Sequence, residues 1–344
     1  MNAAVADGPG RYTTLDGMRG IAAIAVAVMH YDAALLPCGY LAVDFFFMLS
    51  GFVLASRYDQ PLADGLGLMR FLAIRLVRLY PVYAVGTAFG ASIALYLVLR
   101  HAPGQLALAP FAGSLLVNAA MLPSPFSADL YPFDLAAWSL LYELIANILL
   151  ATVFLRMDRL FLVIFVLASG LMLVAATSGD MDVSWGDNWT SWPVAVARTA
   201  FGFGCGVLIS RTVPRRSTVN RTLAMSACLL LLAVFTIPAP REWRTPIDQV
   251  IVFLLWPAIL IFGSRIEPFG RIGKLMMFLG SISYGLYLTH LPLVYMFRRL
   301  AFRVEIDEFA LIPLFVLFAI ATAVLALKLV DLPGRRLLGR LLLG

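Results

Sequence analysis

Charge is what this chain lacks most: Asp, Glu, Lys and Arg make up 13% of its 344 residues, about half the share usual in soluble domains. A fold of that length with so few polar side chains cannot cover its own core in water, which excludes a soluble globular domain. The three cysteines, Cys38, Cys205 and Cys228, form no CxxC pair and no even framework. A disulfide scaffold and a cysteine metal site are thereby excluded, and no metal ligand set is read from the sequence. Histidine is nearly missing, with three residues in all. Long runs of one charge are absent too. The net charge of +6 is spread over short basic clusters between apolar runs, which fits membrane topology and not nucleic acid as a partner. Nor does the N-terminus read as a cleavable signal peptide, because Asp16 and Arg19 interrupt the first apolar run. That first span is expected to be retained.

What is present is apolar length, with 61% of the residues hydrophobic. A spanning helix needs about 20 such residues, because each adds about 1.5 Å across a layer roughly 30 Å thick. Ten segments qualify, at 15–36, 40–57, 79–99, 135–155, 159–177, 193–210, 221–238, 247–263, 275–296 and 309–330. The run 105–122 is apolar but broken by Pro110, Gly113 and Asn118, so it could cross, re-enter or lie on the surface. Lys and Arg gather in cytoplasmic loops. If 105–122 does not cross, most of the 26 basic residues fall on one side; if it does, they divide nearly evenly. The expectation is therefore an all-α polytopic membrane protein of about ten helices with both termini cytoplasmic. Residues 1–14 form a short cytoplasmic N-terminus, 15–330 the ten-helix domain and 331–344 a cytoplasmic tail. The loop 178–192, with Asp180, Asp182 and Asp187, is then external, and Trp185, Trp189 and Trp192 mark an interface. No internal repeat is visible.

Ionisable groups at membrane depth are costly, so each is a candidate for function. Six stand out: Arg19, His30, Asp44, Glu143, Arg198 and His290. Arg19 and His30 are eleven residues apart, which returns to the same helix face within about 20° and separates them by roughly 16 Å. Counting rise from the helix ends puts His30, His290, Asp44 and Glu143 in one layer near the external surface, about 6 to 12 Å deep. An imidazole can take a proton from a hydroxyl, and a carboxylate can orient it, which is the equipment of acyl transfer. On the cytoplasmic side, RFLAIRLVRLYP places Arg75 and Arg78 one turn apart with Arg70 nearby. Paired guanidiniums suit phosphates, and so a coenzyme A donor with its phosphorylated ADP head. Ser50, beside Gly51, is assigned to helix packing. Lys328 is expected to snorkel.

The runs LDGMRGIAAIAVAVMH (15–30), GYLAVDFFFMLSGFVLA (39–55), RLVR before Tyr80 and Pro81, WSLLYE (138–143) and LGSISYGLYLTHLPLV (279–294) occur in that order. Together they resemble the acyltransferase-3 family of integral membrane O-acyltransferases over nearly the whole chain. The resemblance implies a ten-helix enzyme that takes a short acyl group from cytoplasmic acyl-CoA, acetyl-CoA foremost, with no bound cofactor. It delivers the group to a hydroxyl of an extracytoplasmic carbohydrate or lipid-linked glycan, from within a bacterial inner membrane. Arg19 and His30 match the family's Arg-x10-His motif, and Arg75 and Arg78 its Arg-x-x-Arg motif. His30 is then the catalytic base, with Glu143 or Asp44 orienting it. Arg19, Arg75 and Arg78 would hold the donor, and His290 and Arg198 are further candidates. The chain departs from the family at Thr289, where Trp is common, and in having no room for a fused external domain. A proton-coupled secondary transporter, with buried His and carboxylates relaying protons, is the competing reading, and clear inverted repeats would favour it.

Overall fold

A computed structural model describes residues 11–177, 186–214, 218–238 and 240–344. Arg215 and Arg216, together with Asp180, Asp182 and Trp185, lie outside the described residues. The helices run in order as α1 (Thr13–Tyr31), α2 (Ala42–Ala63), α3 (Leu68–Leu99), α4 (Leu108–Ala119), α5 (Trp138–Thr152), α6 (Arg159–Ala176) and α7 (Trp192–Thr212). They continue as α8 (Arg221–Phe235), α9 (Arg244–Val250), α10 (Trp256–Ser264), α11 (Gly270–Val304), α12 (Ile312–Leu325) and α13 (Leu332–Leu342). Two short strands, β1 (Thr218–Val219) and β2 (Ile266–Glu267), pair in parallel. The protein is an all-α polytopic membrane protein.

Among the described residues, eight helical segments are long and apolar enough to cross a membrane. The other two predicted spans are α1, whose apolar run is cut by Asp16 and Arg19, and α8, of 15 residues. Two π-helical turns, Ile251–Leu255 and Ala326–Asp331, join α9 to α10 and α12 to α13. Within the stretch 331–344, α13 continues α12 and packs along α3, where Gly334 meets Pro81.

α3 begins at Leu68 and α11 runs from Gly270 to Val304, so both outlast the spans 79–99 and 275–296 expected from hydropathy. A hydropathy window ends where lipid ends, whereas the backbone hydrogen-bond ladder continues into water. Arg70, Arg75 and Arg78 therefore stand on a helix and not in a loop.

α4 has 12 residues, about 18 Å at 1.5 Å per residue, too short to cross. It runs back along α3: Phe111 packs with Ala91 and Phe133, and further in the Tyr83 hydroxyl donates to the Asn118 carbonyl. The chain then returns through Phe133, whose carbonyl abuts Gly90, into α5. Residues 105–122 thus do not cross but double back along α3. Neighbour directions agree with that, because α1 and α11 run parallel, matched from Asp16 with Gly280 to His30 with His290. An additional crossing at 105–122 would have made them antiparallel.

Two helix pairs form the centre. In α1·α11, a Cβ on Gly20 would fall 2.5 Å from the Leu279 side chain, and in α2·α7 a Cβ on Gly206 would fall 2.0 Å from the Met48 carbonyl. Glycine is needed at both places because nothing larger allows backbones to approach so closely. Gly51 does the same against the Phe203 carbonyl.

Candidate active site

Arg19 and His30 both face α11, as their eleven-residue spacing predicts. The Arg19 guanidinium donates to Ser283 Oγ at 3.0 Å and the Gly280 carbonyl at 2.9 Å, and pairs with Asp16 at 2.8 Å. Farther along the same pair, His30 Nδ1 lies 2.9 Å from His290 Nε2. The ring centres are 5.0 Å apart and the ring planes 28° from parallel.

The proton positions follow from the partners. His290 Nδ1 lies 2.7 Å from the Tyr287 carbonyl, and a carbonyl can only accept, so this nitrogen carries the hydrogen. Neutral His290 then offers a lone pair at Nε2, and His30 Nδ1 must donate to it. His30 is left with its lone pair on Nε2, and its side chain is exposed while His290 is fully buried. Tyr287 steadies the arrangement from below: its hydroxyl shares a 3.1 Å hydrogen bond with Ser139 and its ring packs edge-on against Phe46.

The carboxylates behave differently from the expected single layer. Asp44 receives two bonds from Arg198, at 2.9 and 2.8 Å, with both side chains 1% exposed, and Arg198 also lies over the Trp138 ring. Glu143 pairs with Arg75 at 2.8 Å and accepts from Ser50 Oγ at 3.2 Å. Neither carboxylate is bonded to His30; the group that orients it is an imidazole. A buried carboxylate is costly unless a cation satisfies it, and each has taken the nearest guanidinium. Ser50, read as packing, is a hydrogen-bond donor, and the packing role belongs to Gly51.

Glu143 also lies at a different depth. Gly86 packs against Leu288, and Tyr284 donates to the Leu79 carbonyl, so Arg75 stands level with the Arg19 end of α11. From Gly280 and Ser283 to His290 is seven to ten residues, roughly 10 to 15 Å. Arg78 joins Arg19 and Arg75 at this lower level; it is exposed and makes no hydrogen bond or ion pair among the described residues. The molecule therefore has a guanidinium cluster at one end of the α1·α11 pair and an open imidazole nitrogen at the other.

Sequence reasoning missed Tyr287, Ser139 and Arg298. Tyr287 is one turn before His290 in SYGLYLTH, and that spacing was a usable signal. Arg298, which donates to the Tyr31 carbonyl at 2.8 Å and lies close enough to influence His30, sits on the part of α11 beyond the expected span. No group of three or more metal-ligating side chains occurs among the described residues.

Comparison with known proteins gives the arrangement its context. "Protein 2 in picA locus" of Rhizobium radiobacter is 37% identical over 189 residues, covering 49% of this chain and 96% of that protein. The peptidoglycan O-acetyltransferase OatA of Listeria monocytogenes is 24% identical over 317 residues, covering 82% of this chain and 49% of that one. No solved structure matches. The family model described as an acyltransferase domain matches residues 12–330, and the chain belongs to the acyltransferase-3 family of membrane acyltransferases.

Proposed function

We propose that this protein transfers a short acyl group, acetyl foremost, from cytoplasmic acyl-CoA to a hydroxyl of an extracytoplasmic carbohydrate or lipid-linked glycan, across a bacterial inner membrane with both termini inside. The single observation that carries the reading is the His30–His290 contact, which leaves His30 Nε2 with a free lone pair. The related OatA, named as a peptidoglycan O-acetyltransferase, supports a glycan hydroxyl as acceptor.

In this mechanism His30 Nε2 takes the proton of the acceptor hydroxyl as its oxygen attacks the thioester carbonyl. The C–S bond breaks, and the CoA thiolate leaves and takes up a proton from the imidazolium. His290 Nε2, accepting from His30 Nδ1, stabilises that imidazolium in the role a carboxylate plays in a triad. Arg19, Arg75 and Arg78 hold the phosphates of the donor at the far end of α1·α11, and an extended arm spans the distance between them and His30.

Purified protein with radiolabelled acetyl-CoA and a panel of glycan acceptors tests the reading, with His30→Ala in parallel. Acceptor-dependent label transfer that the variant abolishes supports it. Undiminished transfer by the variant overturns it.

A further inference from the structure

Arg78 is exposed and unpaired among the described residues, yet Arg19, Arg75 and Arg335 all lie within electrostatic reach of it. Like charges gathered in this way repel one another unless an anion lies between them. The carboxylates at hand are spoken for: Asp16 by Arg11 and Arg19, Glu143 by Arg75, and Asp331 by Arg335. Arg78 has none of its own among the described residues.

Arg335 comes to this place by a local irregularity of the chain. The six residues Ala326–Asp331 form a π-helical turn, which shifts everything after it around the helix axis by about one residue, roughly 100°. Asp331 is turned into the protein, its side chain 3% exposed, and holds Arg335 through two contacts, at 2.7 and 2.5 Å. Gly334 lets this segment lie directly on Pro81, three residues beyond Arg78. The neighbouring Arg336 and Arg340 are exposed instead. A π turn, a buried latch and a close helix approach thus bring one of the three arginines of α13 to the α3 cluster.

We propose that Arg335 is a fourth guanidinium of the donor site and binds the phosphate groups of the nucleotide head of acyl-CoA, with Asp331 as its positioning residue. The inference rests on the acyl-CoA reading above. Arg19, Arg75 and Arg78 approach that head from α1 and α3, and Arg335 closes the cluster from the α13 side. Three carboxylates against five guanidiniums, Arg11 included, leave the site net positive, which suits a polyphosphate and not a neutral substrate.

The test is calorimetric binding to the full-length protein in neutral detergent, using CoA, 3′-dephospho-CoA and S-acetylpantetheine as probes. Arg335→Gln is expected to weaken CoA binding by about tenfold, one charge-assisted contact, while leaving S-acetylpantetheine binding unchanged. Arg336→Gln should change neither, and Arg335→Lys should restore part of the loss. Because Arg335→Gln strands buried Asp331, the paired variant Asp331→Asn/Arg335→Gln guards against misfolding and should show the same probe selectivity. Wild-type protein that binds CoA with an affinity Arg335→Gln leaves intact overturns the inference alone. Wild-type protein that binds no CoA overturns the donor reading and this inference with it. Added phosphatidylglycerol gives the remaining arm: if Arg335→Gln weakens binding of that lipid and not of CoA, the anion is a headgroup and the proposal is wrong.

Discussion

The two glycine-packed helix pairs at the centre of this protein use the same device for opposite ends. In α2·α7, Gly206 and Gly51 bring the backbones together beside Asp44 and Arg198, which are joined by two hydrogen bonds and closed to solvent. In α1·α11, Gly20 allows an equally close approach, but capacity is left to spare: His30 keeps a free lone pair on Nε2, and near Arg19 stands Arg78 of α3, which has no hydrogen bond or ion pair among the described residues. A finished ion pair holds a membrane fold in register. Chemistry needs the unfinished one.

If that contrast is right, the two pairs should fail in different ways. The largest effect is expected at His30: His30→Ala should lower the acyl-transfer rate by about 10³-fold, within the range for general-base catalysis, while the lost bond to His290 costs only about 1 kcal/mol of stability in detergent. Next is Arg198→Met, which strands a buried carboxylate and should cost about 3 to 5 kcal/mol of stability, read as loss of folded protein on heating. The double variant Asp44→Leu/Arg198→Met should recover most of that loss, since an apolar pair removes the stranded charge along with its partner. A smaller effect belongs to His290→Phe: kcat should fall by about ten- to a hundredfold, with KM for the donor little changed, and His290→Gln should recover part of it because its amide oxygen can accept from His30 Nδ1. The smallest is Ser50→Ala, where loss of one hydrogen bond to Glu143 should cost about 1 kcal/mol in a thermal melt and barely alter kcat. A catalytic collapse in Arg198→Met with stability intact would break the contrast between the pairs.

The helices were legible because hydropathy reports what lipid requires, and each of the ten spans read from it overlaps a helical segment, eight of them long and apolar enough to cross. The shared face of Arg19 and His30 was legible for a similar reason, since helical periodicity is a property of the sequence alone. What escaped was partnership. Asp44 and Arg198 are 154 positions apart and Arg75 and Glu143 are 68 apart, and depth counted along each helix could not tell which side chains would meet. Long arginine side chains reach more than a turn, so Glu143 found Arg75 toward the guanidinium end and not the histidine layer. Helix extent beyond the lipid and the π turn before Asp331 were hidden as well, because neither leaves a mark in hydropathy. The family motifs pointed to His30 and counted rise put His290 at its level, but neither told that the two rings would be bonded to each other.

Three histidines in the whole chain make the central claim directly measurable. With His labelled in ¹⁵N and the protein in lipid nanodiscs, solid-state NMR reads which ring nitrogen of His30 bears hydrogen, assigned by its loss in His30→Ala. The account predicts a hydrogen on Nδ1 coupled to His290 Nε2 and a bare Nε2 at neutral pH. A hydrogen on His30 Nε2, with Nδ1 bare, would contradict it.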